Sequence, residues 1–288
     1  MTIREKGYHH WDGQLKDTGI DWLPIFFNGI KTVFKKKYAK VLFGLTVSPF
    51  LVFLVGIYVS TKPELKMLTK LVRLLNTDAE FFNVFFTNNF LTFMLVILGL
   101  FFGSGLISGD IKFNAFPLYF SRPMNRKDYI FGKLSVIMFY FLLFTLVPGI
   151  LLYIFKFIFT GKISIDPQVL LGLIFLPLLV TLFLASVILM ISSLSGNAKY
   201  AQIITFLLYI FSNSIALILV KIFKSDYFYL ISIENIIKQM GSFMFNVRAA
   251  FYYPPWLSVV TVIVFISCAF LVLYYRIGKA EAQIETGN

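Results

Sequence analysis

The chain has 288 residues, 58% of them hydrophobic and only 14% charged, with a formal net charge of +12 and a mean hydropathy of +0.82. A soluble domain carries about 25% charged residues, so this composition excludes one and describes a polytopic membrane protein. Attraction to anionic lipid headgroups accounts for the basic excess, and nucleic-acid binding is not needed to explain it.

The first forty residues hold Arg4, Lys6, Lys16, Lys31 and Lys35 to Lys37 with no apolar core before residue 41, so they do not read as a cleavable signal peptide. His9 and His10 are adjacent and cannot share a helical face as metal ligands. They read as a solvated pair beside Tyr8 and Trp11. Trp22, Phe26, Ile30, Val33 and Phe34 then recur at helical spacing, with Asp21, Asn28, Lys31 and Lys35 largely elsewhere on the wheel. This predicts an amphipathic helix lying in the cytoplasmic interface, either as a mere anchor or with a working role.

Charge-free intervals follow at 41–61, 81–109, 134–155, 167–198, 200–220 and 249–275. Each reaches the roughly 20 apolar residues that cross a hydrocarbon core of about 30 Å. The fold class expected is therefore all-α: six transmembrane helices preceded by an amphipathic interfacial helix. Runs such as Phe93 to Leu98 do not alternate, which argues against a barrel. The organisation expected is a cytoplasmic segment at 1–40, a six-helix domain at 41–275 with an external loop at 222–255, and a cytoplasmic tail at 276–288. Placing both termini, the 109–133 loop and the 193–199 loop on one side gathers 16 of the 26 basic residues there, so that side is assigned to the cytoplasm.

Within the spans, Gly99 and Gly103 lie one helical turn apart and Gly105 and Gly109 repeat the spacing, a pattern that lets helix backbones approach closely. Pro49, Pro148 and Pro177 predict kinks or local breaks. Cys268 lies in the last apolar stretch and has no cysteine to pair with. Ser192 to Asn197 reads as a connecting turn. The 222–255 connection, with Tyr227 to Ile231 and Ile236-Ile237 before Pro254-Pro255, is too apolar for a solvated loop; it reads as short helices dipping back into the outer leaflet or as an interfacial aromatic belt.

No acidic, basic or histidine residue is central in any span, which argues against an ion-coupled carrier. The acidic residues are scattered, and no nucleophile elbow, zinc-binding His-Glu-x-x-His or phosphate-cradling glycine loop occurs, so the chain is not read as an enzyme. It binds no cofactor on this reading and cannot hydrolyse ATP alone.

The most informative segment is 109–133. Asp110 leaves the second span, Phe116 to Phe120 follow, Ser121-Arg122-Pro123 forms a turn, and Arg126-Lys127 lead to Gly132-Lys133 at the third span. This order resembles the first cytoplasmic loop of ABC type-2 transporter permeases, and the six spans, amphipathic helix and external segment extend the resemblance over the chain. One departure is Asn114-Ala115 where many members carry Gly-Thr. The resemblance implies a coupling helix that inserts into a separate ATP-binding subunit. Phe116, Tyr119 and Phe120 would be its anchors, Pro123 would rigidify the turn, and Arg122 and Arg126 would pair with partner carboxylates. It further implies two copies of that subunit carrying ATP and Mg, a second permease copy or paralogue, export from a bacterial cytoplasm across the inner membrane, and room for an external accessory protein. An alternative is a membrane scaffold that transmits ATP-driven force without moving cargo.

Overall fold

The computed structural model describes residues 21–61, 77–120, 124–161 and 166–285. The His9-His10 pair and the Ser121-Arg122-Pro123 turn lie outside them. Among the described residues the chain is helical throughout: α1 Leu23–Phe34, α2 Lys37–Thr61, α3 Asp78–Phe86, α4 Asn89–Phe102, α5 Gly105–Lys112, α6 Phe116–Phe120, α7 Arg126–Phe144, α8 Leu146–Thr160, α9 Pro167–Leu194, α10 Ala198–Phe223, a 3-10 turn Asp226–Ile231, α11 Ile233–Met244 and α12 Trp256–Glu285. They form six units long and apolar enough to cross a bilayer: α2, α3 to α5, α7 with α8, α9, α10 and α12. That is the build of a multi-pass α-helical membrane protein. The last helix starts at Trp256 and continues unbroken to Glu285, into the segment expected to be a separate tail.

Local chemistry sets the boundaries. Asp166 accepts the Gln168 amide at 2.9 Å and Pro167 opens α9, while Asn197 accepts from Lys199 to start α10. Both are N-terminal caps. Of the three prolines, only Pro148 lies near a break, at Thr145. At Pro49 and Pro177 the helices continue. Pro49 deprives the Leu45 carbonyl of its usual amide donor, and the Ser48 hydroxyl donates to that carbonyl at 2.7 Å.

The fourth span, α9, is the axis of the bundle and packs against segments of the second, third, fifth and sixth. Ile188 on α9 sits where a side chain at Gly99 or Gly103 would project, with Phe141 and Ile137 of α7 completing the contact. The glycine pair therefore serves packing within the chain. Its helix also loses a turn there: the Gly103 and Ser104 amides both converge on the Gly99 carbonyl, at 2.7 and 3.0 Å. Ser192 of α9 repairs the break. Its hydroxyl donates to the Ser104 carbonyl at 2.7 Å and accepts from the Ile107 and Ser108 amides at 3.2 and 3.0 Å, using all three of its hydrogen-bonding positions. Ser192, expected only to connect, is a cross-bundle strut.

Helix α1 lays its apolar face on the third span. Trp22 meets Phe131 edge-on at 5.0 Å, Gly132 abuts Ile25, and Tyr140 donates to the Ile30 carbonyl at 2.9 Å. On the far side of the bundle, the 3-10 turn runs back along α10 and α11 buries Ile236, Ile237 and Met240 against the spans. Gln239 closes this hairpin, donating to the Phe251 and Tyr253 carbonyls at 3.2 and 2.7 Å and accepting from the Phe251 amide at 3.0 Å.

Overpacking a filled helix crossing costs about 1–3 kcal/mol. Gly99→Leu is expected to lower the melting temperature of the detergent-purified protein. Gly44→Leu, where nothing lies within 4 Å, is expected to leave it unchanged, and equal effects would contradict the packing described.

Candidate functional site

The 109–133 segment begins where α5 unwinds. The Phe113 amide bonds to the Gly109 carbonyl and the Ala115 amide to the Asp110 carbonyl at 2.8 Å, and Asn114 between them reverses the chain at a φ of 48°. Glycine and asparagine tolerate that left-handed conformation best. The five residues of α6 follow. After the turn, the Asn125 amide donates to the Asp128 carboxylate at 3.3 Å, which caps the start of α7.

A polar knot fastens these pieces. Lys133 Nζ lies 2.7 Å from Asp110 Oδ2, and the side chains are only 8% and 16% exposed. The Tyr129 hydroxyl donates to the same carboxylate oxygen at 2.6 Å. Lys133 also donates to the Tyr119 hydroxyl at 3.4 Å and faces the Tyr119 and Tyr129 rings at 5.2 and 5.3 Å. The ammonium thus has a carboxylate and two ring faces around it, the compensation a buried charge requires. Tyr119 and Tyr129 meet edge-on at 5.1 Å, Phe116 packs on Tyr129 at 5.6 Å and stacks with Phe120 at 6.1 Å.

Four of the residues singled out from the sequence, Asp110, Phe116, Tyr119 and Phe120, are therefore brought together, but around Tyr129 and not toward the outside. Phe116 is 6% exposed, so its ring is not a surface anchor. Among the described residues of this segment the most exposed apolar side chains are Phe113 and Leu118, at 77% and 75%. A five-residue helix cannot turn three aromatic rings outward once the knot has claimed one face. Arg126 is likewise engaged within the chain: it pairs with Glu281 of α12, lies over the Tyr274 ring at 5.6 Å and is packed against Gly278. Sequence reasoning missed Tyr129 and Glu281. Tyr129 stands one turn before Lys133 on the same helical face, a readable signal, whereas nothing in the spacing connects Arg126 to a residue 155 positions later.

A cleft of about 550 Å³ opens beside the knot, between α1 and the ends of the second and third spans. Asn28 and Thr32 of α1, with Lys36 just beyond it, form one side, and Asp110, Leu118 and Lys133 the other. The arrangement ties four helix ends into one body next to an amphipathic recess.

Comparison with protein-family models gives no match, and comparison with characterised proteins gives no significant similarity. Stranding one member of a buried ion pair costs about 3–5 kcal/mol, whereas replacing both with apolar groups is often close to neutral. Lys133→Met is therefore expected to lower thermal stability sharply, and Asp110→Leu combined with Lys133→Met to recover most of the loss in a double-mutant cycle.

Proposed function

We propose that this chain is the membrane-spanning permease subunit of an ABC-type exporter, driven by a separate ATP-binding subunit. The observation that carries the reading is the braced α6 segment, which presents Leu118 at the cleft closed by α1 and leaves Phe113 exposed just before it. A short helix transmits force only if its base is rigid, and the Asp110–Lys133–Tyr129 knot and the Arg126–Glu281 pair provide that base. Asn114, where many ABC type-2 permeases carry glycine, takes a backbone conformation glycine favours, so the departure in sequence preserves the local shape. The folded-back α11 supports the same reading.

On this proposal two ATP-binding subunits, holding ATP and Mg, dock against two permease copies in the bacterial inner membrane with both termini in the cytoplasm. Leu118 and Phe113 replace Phe116 as the docking residues. Each is expected to act as an interface hot spot, for which truncation costs about 2 kcal/mol or more. Leu118→Ser and Phe113→Ser should reduce recovery of the ATP-binding subunit in co-purification by about tenfold or more, with unchanged membrane insertion. Recovery of an ATPase equal to that of the unaltered protein would remove the docking assignment.

Topology gives a separate check. In a Cys268→Ala background, cysteines placed at Asn125 and Asn197 are expected to react only from the cytoplasmic side, and those at Asp166 and Asn246 only from outside. External labelling at Asn125 would overturn the proposal, because ATP-binding subunits work where ATP is.

A further inference from the structure

The Arg126–Glu281 contact joins α7 to α12 at one end of a groove that the described residues leave unfilled. Arg126 reaches α12 over Gly278, where a Cβ would meet its guanidinium. Beside that contact a groove of about 520 Å³ runs between the two helices. Lys127 and Phe131, one helical turn apart, line one wall, and Ser267, Phe270, Leu271 and Tyr274 line the other, at the spacing of a single helical face. Trp22, edge-on at 5.0 Å, supports the Phe131 ring.

The depth of the groove follows from α12. Ser267 is the twelfth of the 27 residues of the sixth span and Tyr274 the nineteenth. The groove therefore begins near mid-span and runs about 10 Å at the helical rise toward the end where Arg126 lies over the Tyr274 ring. Lys127, the next residue, stands at its mouth. The deep end is apolar, because the Ser267 hydroxyl donates within its own helix to the Ile263 carbonyl at 2.8 Å. Water needs polar partners that such a site lacks, and an empty groove forfeits the contacts of its walls. In a bilayer the group present at that depth is an acyl chain.

Charge selects the lipid. Lys127 is exposed and makes no ion pair among the described residues. Of the carboxylates nearby, Glu281 is paired with Arg126, and Asp128 is turned to the start of α7, where it accepts the Asn125 amide. An unpaired ammonium on a flexible stem thus stands where a span reaches the headgroups, and basic positions between spanning helices attract anionic lipid there. We propose that the α7–α12 groove binds one anionic phospholipid, its phosphate on Lys127 and one acyl chain along Phe131, Phe270 and Leu271. The site goes beyond the proposed permease role and needs only that α7 and α12 cross a membrane.

The test is native mass spectrometry of the full-length protein in detergent, titrated with phosphatidylglycerol and with phosphatidylcholine of the same chains. One phosphatidylglycerol is expected to be retained at about tenfold lower concentration than any phosphatidylcholine. Lys127→Gln is expected to abolish that preference, and Lys199→Gln, which removes an exposed charge elsewhere, to leave it intact. Ser267→Trp, which fills the deep end while keeping Lys127, is expected to lose the tightly held lipid at an unchanged melting temperature. No preference in the unaltered protein, an equal loss with Lys199→Gln, or retention of the lipid by a folded Ser267→Trp protein would overturn the proposal. So would a dimer that excludes the lipid and that Ser267→Trp dissociates, since the groove would then belong to a second copy of the chain. The comparison of the two lipids in the unaltered protein stands without any variant.

Discussion

A peptide group released from its helix inside hydrocarbon has no water to turn to, and this constraint organises the whole bundle. Each discontinuity in a span is matched by a side chain that takes up the stranded group. Ser192 serves three backbone groups around Ser104, Gln202 donates to the Leu100 carbonyl at 3.1 Å, Asn88 caps α4 and Ser48 covers the carbonyl opposite Pro49. Because Ser192 and Gln202 come from other spans, the break at Gly103 and Ser104 is satisfied only once the helices are together. Local helix geometry and tertiary packing are in this sense one event.

Charge obeys the same economy. Lys133 and Asp110 are tolerated at a buried helix junction because each is surrounded by the other and by tyrosine. At the opposite end of the molecule Lys156 pairs with Asp78 at 2.7 Å and covers the Phe81 ring at 4.7 Å, tying the start of the second span to the end of the third. The chain therefore closes both ends of this helix pair with ion pairs and fills the middle with phenylalanine and isoleucine.

Much of the architecture was legible because it depends on runs of composition. Six spans follow from six charge-free intervals, and the α1 face follows from Trp22, Phe26, Ile30 and Val33 at helical spacing. The site was half legible. The order Asp110, Phe116, Tyr119, Phe120 and Lys133 marked residues that the fold gathers into one cluster, but aromatic residues read identically whether they point inward or outward, and Tyr129 decided which. Contacts such as Arg126 with Glu281, Ser192 with Ser104 and Tyr209 with Glu234 depend on how distant elements fold together. The apolar content of 222–255 pointed to helices folding back, but nothing in it showed that Glu234 would meet Tyr209.

The sixth span differs from the second and third in one respect that bears on motion. The second and third spans are jointed, at Thr87 to Asn88, at Gly103 to Ser104 and at Thr145, so a tilt applied at one end can be absorbed at a joint. Helix α12 contains no proline and its one glycine is Gly278. As a single rod of 30 residues, about 45 Å at the standard rise, it runs from the Tyr253 and Ser258 hydroxyl contact to Glu281 on Arg126. A lever without a joint delivers at one face of a membrane the rotation imposed at the other, and here its two ends grip the folded-back hairpin and the braced loop.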